Sequence, residues 1–157
     1  DLVMSWDEIR MIASDPLVTI GAHTTNHYAL AQLPEESARA EMAESLDRIA
    51  RETGRPCRHF SYPYGCALSA GDREFAIARS LGVATAVTTR KGLLRSGEGI
   101  DLAALPRLSL NGDYQDVRYV KVLLSGAPFA FWNAAGRWVR RLRRPASAWA
   151  HQASPST

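Results

Sequence analysis

Residues 19–30 read "TIGAHTTNHYAL" and hold two of the four histidines of the chain, His23 and His27, directly after an apolar run. The preceding "LVTIGA" (17–22) is a short β-branched run closed by Gly21, the pattern of a strand. Two imidazoles in HxxxH spacing lie near enough to share one cation, and neutral imidazole is a common zinc ligand. The same spacing is met equally well by two polar loop residues, so it does not decide between them. The zinc-protease helix is disfavoured. That motif needs Glu after its first His, where Thr24 stands, and paired threonines at a strand end oppose a long helix. Location favours chemistry, because parallel α/β sheets gather their sites at the carboxyl ends of strands, and His23 lies just beyond one.

Outward from this stretch, helical and extended patterns alternate. Upstream, "SWDEIRMIASD" (5–15) opens with a capping box, Ser5 and Glu8, and sets Trp6, Ile9 and Ile12 at helical spacing. Downstream, Pro34, Glu35 and Glu36 mark a helix start, and Ala38, Met42, Leu46, Ile49 and Ala50 form one apolar stripe up to a C-cap at Gly54. "CRHFSYPYG" (57–65) is a strand that must stop at Pro63, with Gly65 supplying a turn. Asp72 to Leu81 is a further helix capped by Gly82, "VATAVTT" (83–89) a strand and "LPRLSL" (105–110) another. This order predicts a parallel sheet covered by helices. Helical pattern returns in "DYQDVRYVKVLLSG" (113–126), and "FAFWNAAGRWVRRLRRP" (129–145) is aromatic and arginine-rich. Residues 146–157 have the composition of a disordered end.

With 157 residues and 46% hydrophobic content, the chain can bury a core of its own. No apolar run approaches the roughly 18 residues of a spanning helix. The sequence opens on Asp1 without an initiator Met and reads as part of a longer protein. Net charge is +3, but Arg137, Arg140, Arg141, Arg143 and Arg144 supply five of the positives. The basic character therefore belongs to the tail and says nothing of what the body binds. No nucleic-acid motif accompanies it, so nucleic acid is not expected as a partner. The aromatic and arginine residues of 129–144 suit peripheral contact with an anionic membrane surface, binding of an acidic polymer, or packing of the aromatics on the body with the arginines solvated. Cys57 and Cys66 are too few for a zinc knuckle; they are expected as free thiols, with a disulfide the alternative in an exported protein. The sequence leaves the compartment open.

Taken together and in order, "MSWDEIRMIASDPLVTIGAHTTNH", "HFSYPYG", "GVATAVTTRKG" and "LPRLSL" resemble the NodB-homology polysaccharide deacetylases, carbohydrate esterase family four, over about residues 4–112. The resemblance implies a distorted, incomplete (β/α) barrel, here without its N-terminal strands, and a divalent cation, usually zinc, held by one Asp and two His. It makes His23 and His27 the histidine ligands. It puts Tyr62, Pro63 and Tyr64 at the substrate, with the Tyr64 N–H helping to hold an oxyanion. The implied substrate is an N-acetylated polysaccharide or chitooligosaccharide, and the implied reaction is removal of N-acetyl groups. By the same resemblance, residues 1–126 form a partial deacetylase domain, 127–145 a basic aromatic segment and 146–157 a tail.

Three departures accompany the match. The family's Thr-Phe-Asp-Asp motif, which supplies the catalytic base and the Asp ligand, has no counterpart before "MSWDE". Many members carry Arg where Ser61 stands; Arg107 in "LPR" is a candidate for that carboxylate-steadying role. The late Leu-x-Leu-His motif, source of a proton-donating His, reads "LSLN" with Asn111, and an amide cannot act as a general acid. His59 is a weak substitute, because alternation along its strand can bury it. The 157-residue chain is thus expected to be inactive alone, and a non-catalytic carbohydrate-binding module remains the alternative.

Overall fold

The computed structural model describes residues 3–94, 99–110, 112 and 115–129. The chain falls into two compact units, residues 1–109 and 110–157. In the first, α1 (Trp6–Ala13) begins at the expected capping box: the Ser5 hydroxyl accepts from the Glu8 N–H, and the Glu8 carboxylate accepts from the Ser5 N–H at 2.6 Å. A single 3-10 turn, Leu30–Gln32, leads to α2 (Glu35–Thr53), which ends at Gly54 in the left-handed conformation, φ 69°. The stripe of α2 is buried at Ala38, Met42 and Leu46. Covering Met42 and Leu46 contributes about 1.5–3 kcal/mol each.

The sheet runs in chain order and is parallel throughout. Ala22 bridges Phe60 of β1 (His59–Ser61), β1 pairs with β2 (Thr85–Val87) in the register Phe60 to Ala86, and Val87 bridges Leu105. The expected strand at 17–22 shrinks to Ala22, whose N–H donates to the His59 carbonyl at 2.8 Å while its carbonyl accepts from Ser61 at 2.9 Å. The expected strand at 105–110 likewise pairs at Leu105 alone. The intervening α3 (Asp72–Ser80) crosses over from β1 to β2, and Gly82 turns the chain with φ 74°.

One face of the sheet is closed and the other open. Phe60 and Ala86 are buried beside Leu30, Met42, Phe75 and Ile77 under α2 and α3. Alternation turns His59, Ser61, Thr85 and Val87 to the opposite side. There, with Thr19, Gly21 and His23, they line an open hollow of about 460 Å³. The neighbouring helices are tied down by charged groups: the Arg48 guanidinium stacks over the Trp6 ring at 5.1 Å, and Arg73 donates to the Leu30 and Leu33 carbonyls at 2.9 Å.

In the second unit α4 (Val117–Leu124) starts at Asp116, whose carboxylate accepts from the Arg118 N–H at 2.9 Å. Apart from 127–129, the basic aromatic segment 127–145 lies outside the described residues, as do 146–157, Asn111 and the membrane-contact stretch beyond Phe129. Among the described residues no helix is long and apolar enough to cross a membrane.

Candidate functional site

The histidine pair sits in the loop that leaves Ala22, at the carboxyl edge of the sheet. A helical turn does not bring the two rings together. Thr24 and His27 both adopt positive φ, 65° and 59°, and the Thr24 hydroxyl accepts from the His27 N–H at 3.0 Å. Such backbone is strained for residues with a Cβ and persists only where surrounding contacts hold it. The result places the His23 and His27 rings edge to face, centroids 4.8 Å apart. Two imidazoles bound to one zinc through nitrogens at about 2.0–2.1 Å and a near-tetrahedral angle have centroids about 5 Å apart, so the separation suits a shared cation.

His23 is further oriented from the sheet. Its Nδ1 lies 2.6 Å from the Ser61 carbonyl oxygen. A carbonyl only accepts, so Nδ1 carries the proton and Nε2 presents its lone pair. Donor chemistry therefore fits two positions of a divalent-metal site. Among the described residues no cluster of three His, Cys, Asp or Glu side chains could complete it.

The "YPYG" turn supplies the adjoining wall. Tyr64, φ 61° and 60% exposed, packs its ring edge to face on His27, centroids 4.9 Å apart, and its carbonyl accepts from the Thr89 hydroxyl at 2.6 Å. Gly65 has φ 59°, and a Cβ there would meet the Thr89 nitrogen at 2.5 Å, so the turn lies directly on the chain leaving β2. Tyr62 and Pro63 are elsewhere than the sequence suggested. Both are fully buried, and the Tyr62 hydroxyl donates to the Ala103 carbonyl at 2.9 Å while its ring packs between Phe60 and Phe75. Their side chains have no surface to offer a substrate; strand alternation turns Tyr62 inward, with Phe60, into the core.

Arg107 is exposed, and its N–H donates to the Arg90 carbonyl at 3.1 Å. Nothing among the described contacts joins its side chain to the histidines. His59 stays two residues back along β1, where its Nδ1 pairs with the Thr85 hydroxyl at 2.8 Å. Cys57 and Cys66 are free thiols. Sequence reasoning missed Glu41, a buried carboxylate of α2 that binds the histidine loop at Thr25 and Asn26. Its signal was legible: an acid on the inward side of the helix, between Ala38 and Met42.

Parallel strands with covering helices, and paired imidazoles with an aromatic turn at their carboxyl edge, define an α/β protein with its chemistry at the strand ends. The polysaccharide deacetylase family pattern matches residues 2–86, more than half of the chain. The chain belongs to that polysaccharide deacetylase family. Solved structures share the fold. The Streptococcus pyogenes deacetylase PplD, in complex with acetate, matches at 21% identity and TM-score 0.67, covering 76% of this chain and 50% of that one. IcaB from Ammonifex degensii matches at 23% identity and TM-score 0.61, with 78% and 52% covered. The BpsB deacetylase domain from Bordetella bronchiseptica matches at 21% and 0.59, with 68% and 49% covered. The chain thus spans about half the length of these structures. Among curated proteins no sequence matches.

Proposed function

We propose that this chain is part of a metal-dependent de-N-acetylase acting on a GlcNAc-containing oligo- or polysaccharide. The observation that carries the reading is the His23–His27 pair, centroids 4.8 Å apart at the strand ends, in a chain of the polysaccharide deacetylase family. His23 and His27 are the protein's nitrogen ligands to a divalent cation, zinc by the family's habit, and a carboxylate from outside this chain is the third. A bound cation would supply Lewis acidity, towards water and towards the acyl oxygen.

The residues of this chain do the rest of the positioning. The Ser61 carbonyl keeps the proton on His23 Nδ1 and aims Nε2 outward. The Tyr64 N–H donates to the negative charge that develops on the acyl oxygen, and the exposed Tyr64 ring borders the path of the sugar. Arg107 steadies the carboxylate brought by the missing half. The open hollow beside His59 and Val87 is the interior of a partial distorted (β/α) barrel whose other strands lie outside this chain. Residues 1–126 form the deacetylase part, and 127–145 and 146–157 are the basic segment and tail, with 129–144 open to peripheral membrane contact.

The test is acetate release from N-acetylglucosamine oligomers by the protein with its upstream sequence. His23→Ala and His27→Ala each abolish release and stoichiometric zinc, and full activity in either variant overturns the assignment. Asn111, in place of the proton-donating His, favours a second reading as a non-catalytic glycan-binding module. That reading requires glycan binding without acetate release from the same longer protein, and turnover removes it.

A further inference from the structure

We infer that Glu41 is the positioning residue of the histidine site: it holds the loop in the strained form that brings His27 beside His23, without touching metal or substrate. The inference rests on the reading of His23 and His27 as ligands and adds the part that sets their geometry.

The carboxylate projects from α2 and is only 9% exposed. Oε2 accepts from two successive amides, Thr25 N–H at 3.1 Å and Asn26 N–H at 2.9 Å, and Oε1 accepts from Asn26 Nδ2 at 2.5 Å. Both oxygens are thus engaged by the two residues midway between the histidines. Bonds of this type to an ionised acceptor are about twice as strong as neutral ones. They fall between the two strained residues, Thr24 and His27, each of which costs about 1–2 kcal/mol in the left-handed region. The Thr24 hydroxyl bond to His27 N–H closes the loop internally, whereas Glu41 ties it to the core-packed helix. Released from that tie, the loop relaxes to negative φ and swings the His27 ring away from His23. Engagement of both oxygens also distinguishes Glu41 from a missing third ligand.

Metal-free and zinc-loaded arms on the 157-residue chain test this. In metal-free NMR, the wild type shows positive-φ couplings at Thr24 and His27 and slow amide exchange at Thr25 and Asn26. Glu41→Gln, which keeps side-chain volume and one acceptor oxygen but removes the charge and the second acceptor, weakens both signatures while the melting transition of the core persists. Unchanged couplings and exchange in Glu41→Gln overturn the inference without reference to metal. In zinc titrations, Glu41→Ala weakens binding about 10–100-fold, the usual effect of losing a partner that orients ligands. Glu41→Gln falls between it and wild type, and the exposed Glu44→Ala is unchanged. Zinc bound through the histidines equally well in wild type and both Glu41 variants overturns the inference and leaves the ligand assignment standing. Zinc bound equally by wild type and His23→Ala overturns the ligand assignment, and the inference falls with it. If Glu41→Ala does not fold, the Glu41→Gln couplings and titration decide.

Discussion

The Nδ1–H of His23 donates to the carbonyl oxygen of Ser61 at 2.6 Å, so the first β-strand of the sheet sets the proton on a histidine in the preceding loop. Because the acceptor is backbone, no side-chain change elsewhere on the strand removes it. In metal-free protein at alkaline pH, the imidazole nitrogen-15 spectrum of His23 shows the Nδ1–H tautomer. A spectrum dominated by Nε2–H would break the link between strand and ligand.

Two glycines with positive φ separate conformational strain from collision. Gly54 caps α2 with open space where a Cβ would stand, whereas a Cβ on Gly65 meets the Thr89 nitrogen at 2.5 Å. Gly54→Ala therefore costs only the left-handed penalty, ~1–2 kcal/mol. Gly65→Ala costs distinctly more, since backbone must shift as well. It also disturbs Tyr64, whose carbonyl holds the Thr89 hydroxyl. Urea unfolding of the two variants checks the ranking, and equal losses would contradict it.

What the sequence made legible follows from the range of the interactions involved. The capping box of α1, the stripe of α2, and the caps at Gly54 and Gly82 are local, and each stands where pattern places it. The strands are shorter than their β-branched runs, because ladder bonds depend on partners far along the chain: Ala22 meets His59 and Ser61, and nothing within 17–22 announces that only the last residue pairs. The histidine pair was visible as spacing, but the left-handed turns at Thr24 and His27 that join the rings were not. The turns depend on Glu41, some fifteen residues away, and the set of the His23 ring on the Ser61 carbonyl. Tyr62 was misplaced for a related reason. Its motif suggests a rim, while strand alternation, set by Phe60, turns it into the core.

The burial of Tyr62 carries its own consequence. Tyr62→Phe leaves the Ala103 carbonyl without its donor, a loss of ~1–3 kcal/mol in stability with little change in packing. Burial also pushes the phenol above the ordinary tyrosine range. A raised native pKa disfavours the phenolate in the folded protein. The stabilisation is complete below the unfolded-state value of ~10 and is lost as pH rises beyond it towards the native value. The difference in phenolate absorbance between wild type and Tyr62→Phe should stay flat with rising pH until the protein unfolds; a step before unfolding would refute it.

The two cysteines should react at different rates for a reason visible in their surroundings. Cys66 is exposed, and the Ser69 hydroxyl, 3.5 Å from its sulfur, draws the thiol below its usual range. Cys57 is half-buried beside the Ile20 and His59 carbonyls, and burial pushes its thiol up. The thiolate is the nucleophile, so access and ionisation act in the same direction. Near neutral pH, iodoacetamide alkylates Cys66 at least about tenfold faster than Cys57. Ser69→Ala slows Cys66 and shifts the rise of its rate to higher pH, leaving Cys57 unaffected. Peptide mapping by mass spectrometry over a time course reads both rates, and equal labelling of the two sites would show that the loop at Cys66 does not set its reactivity.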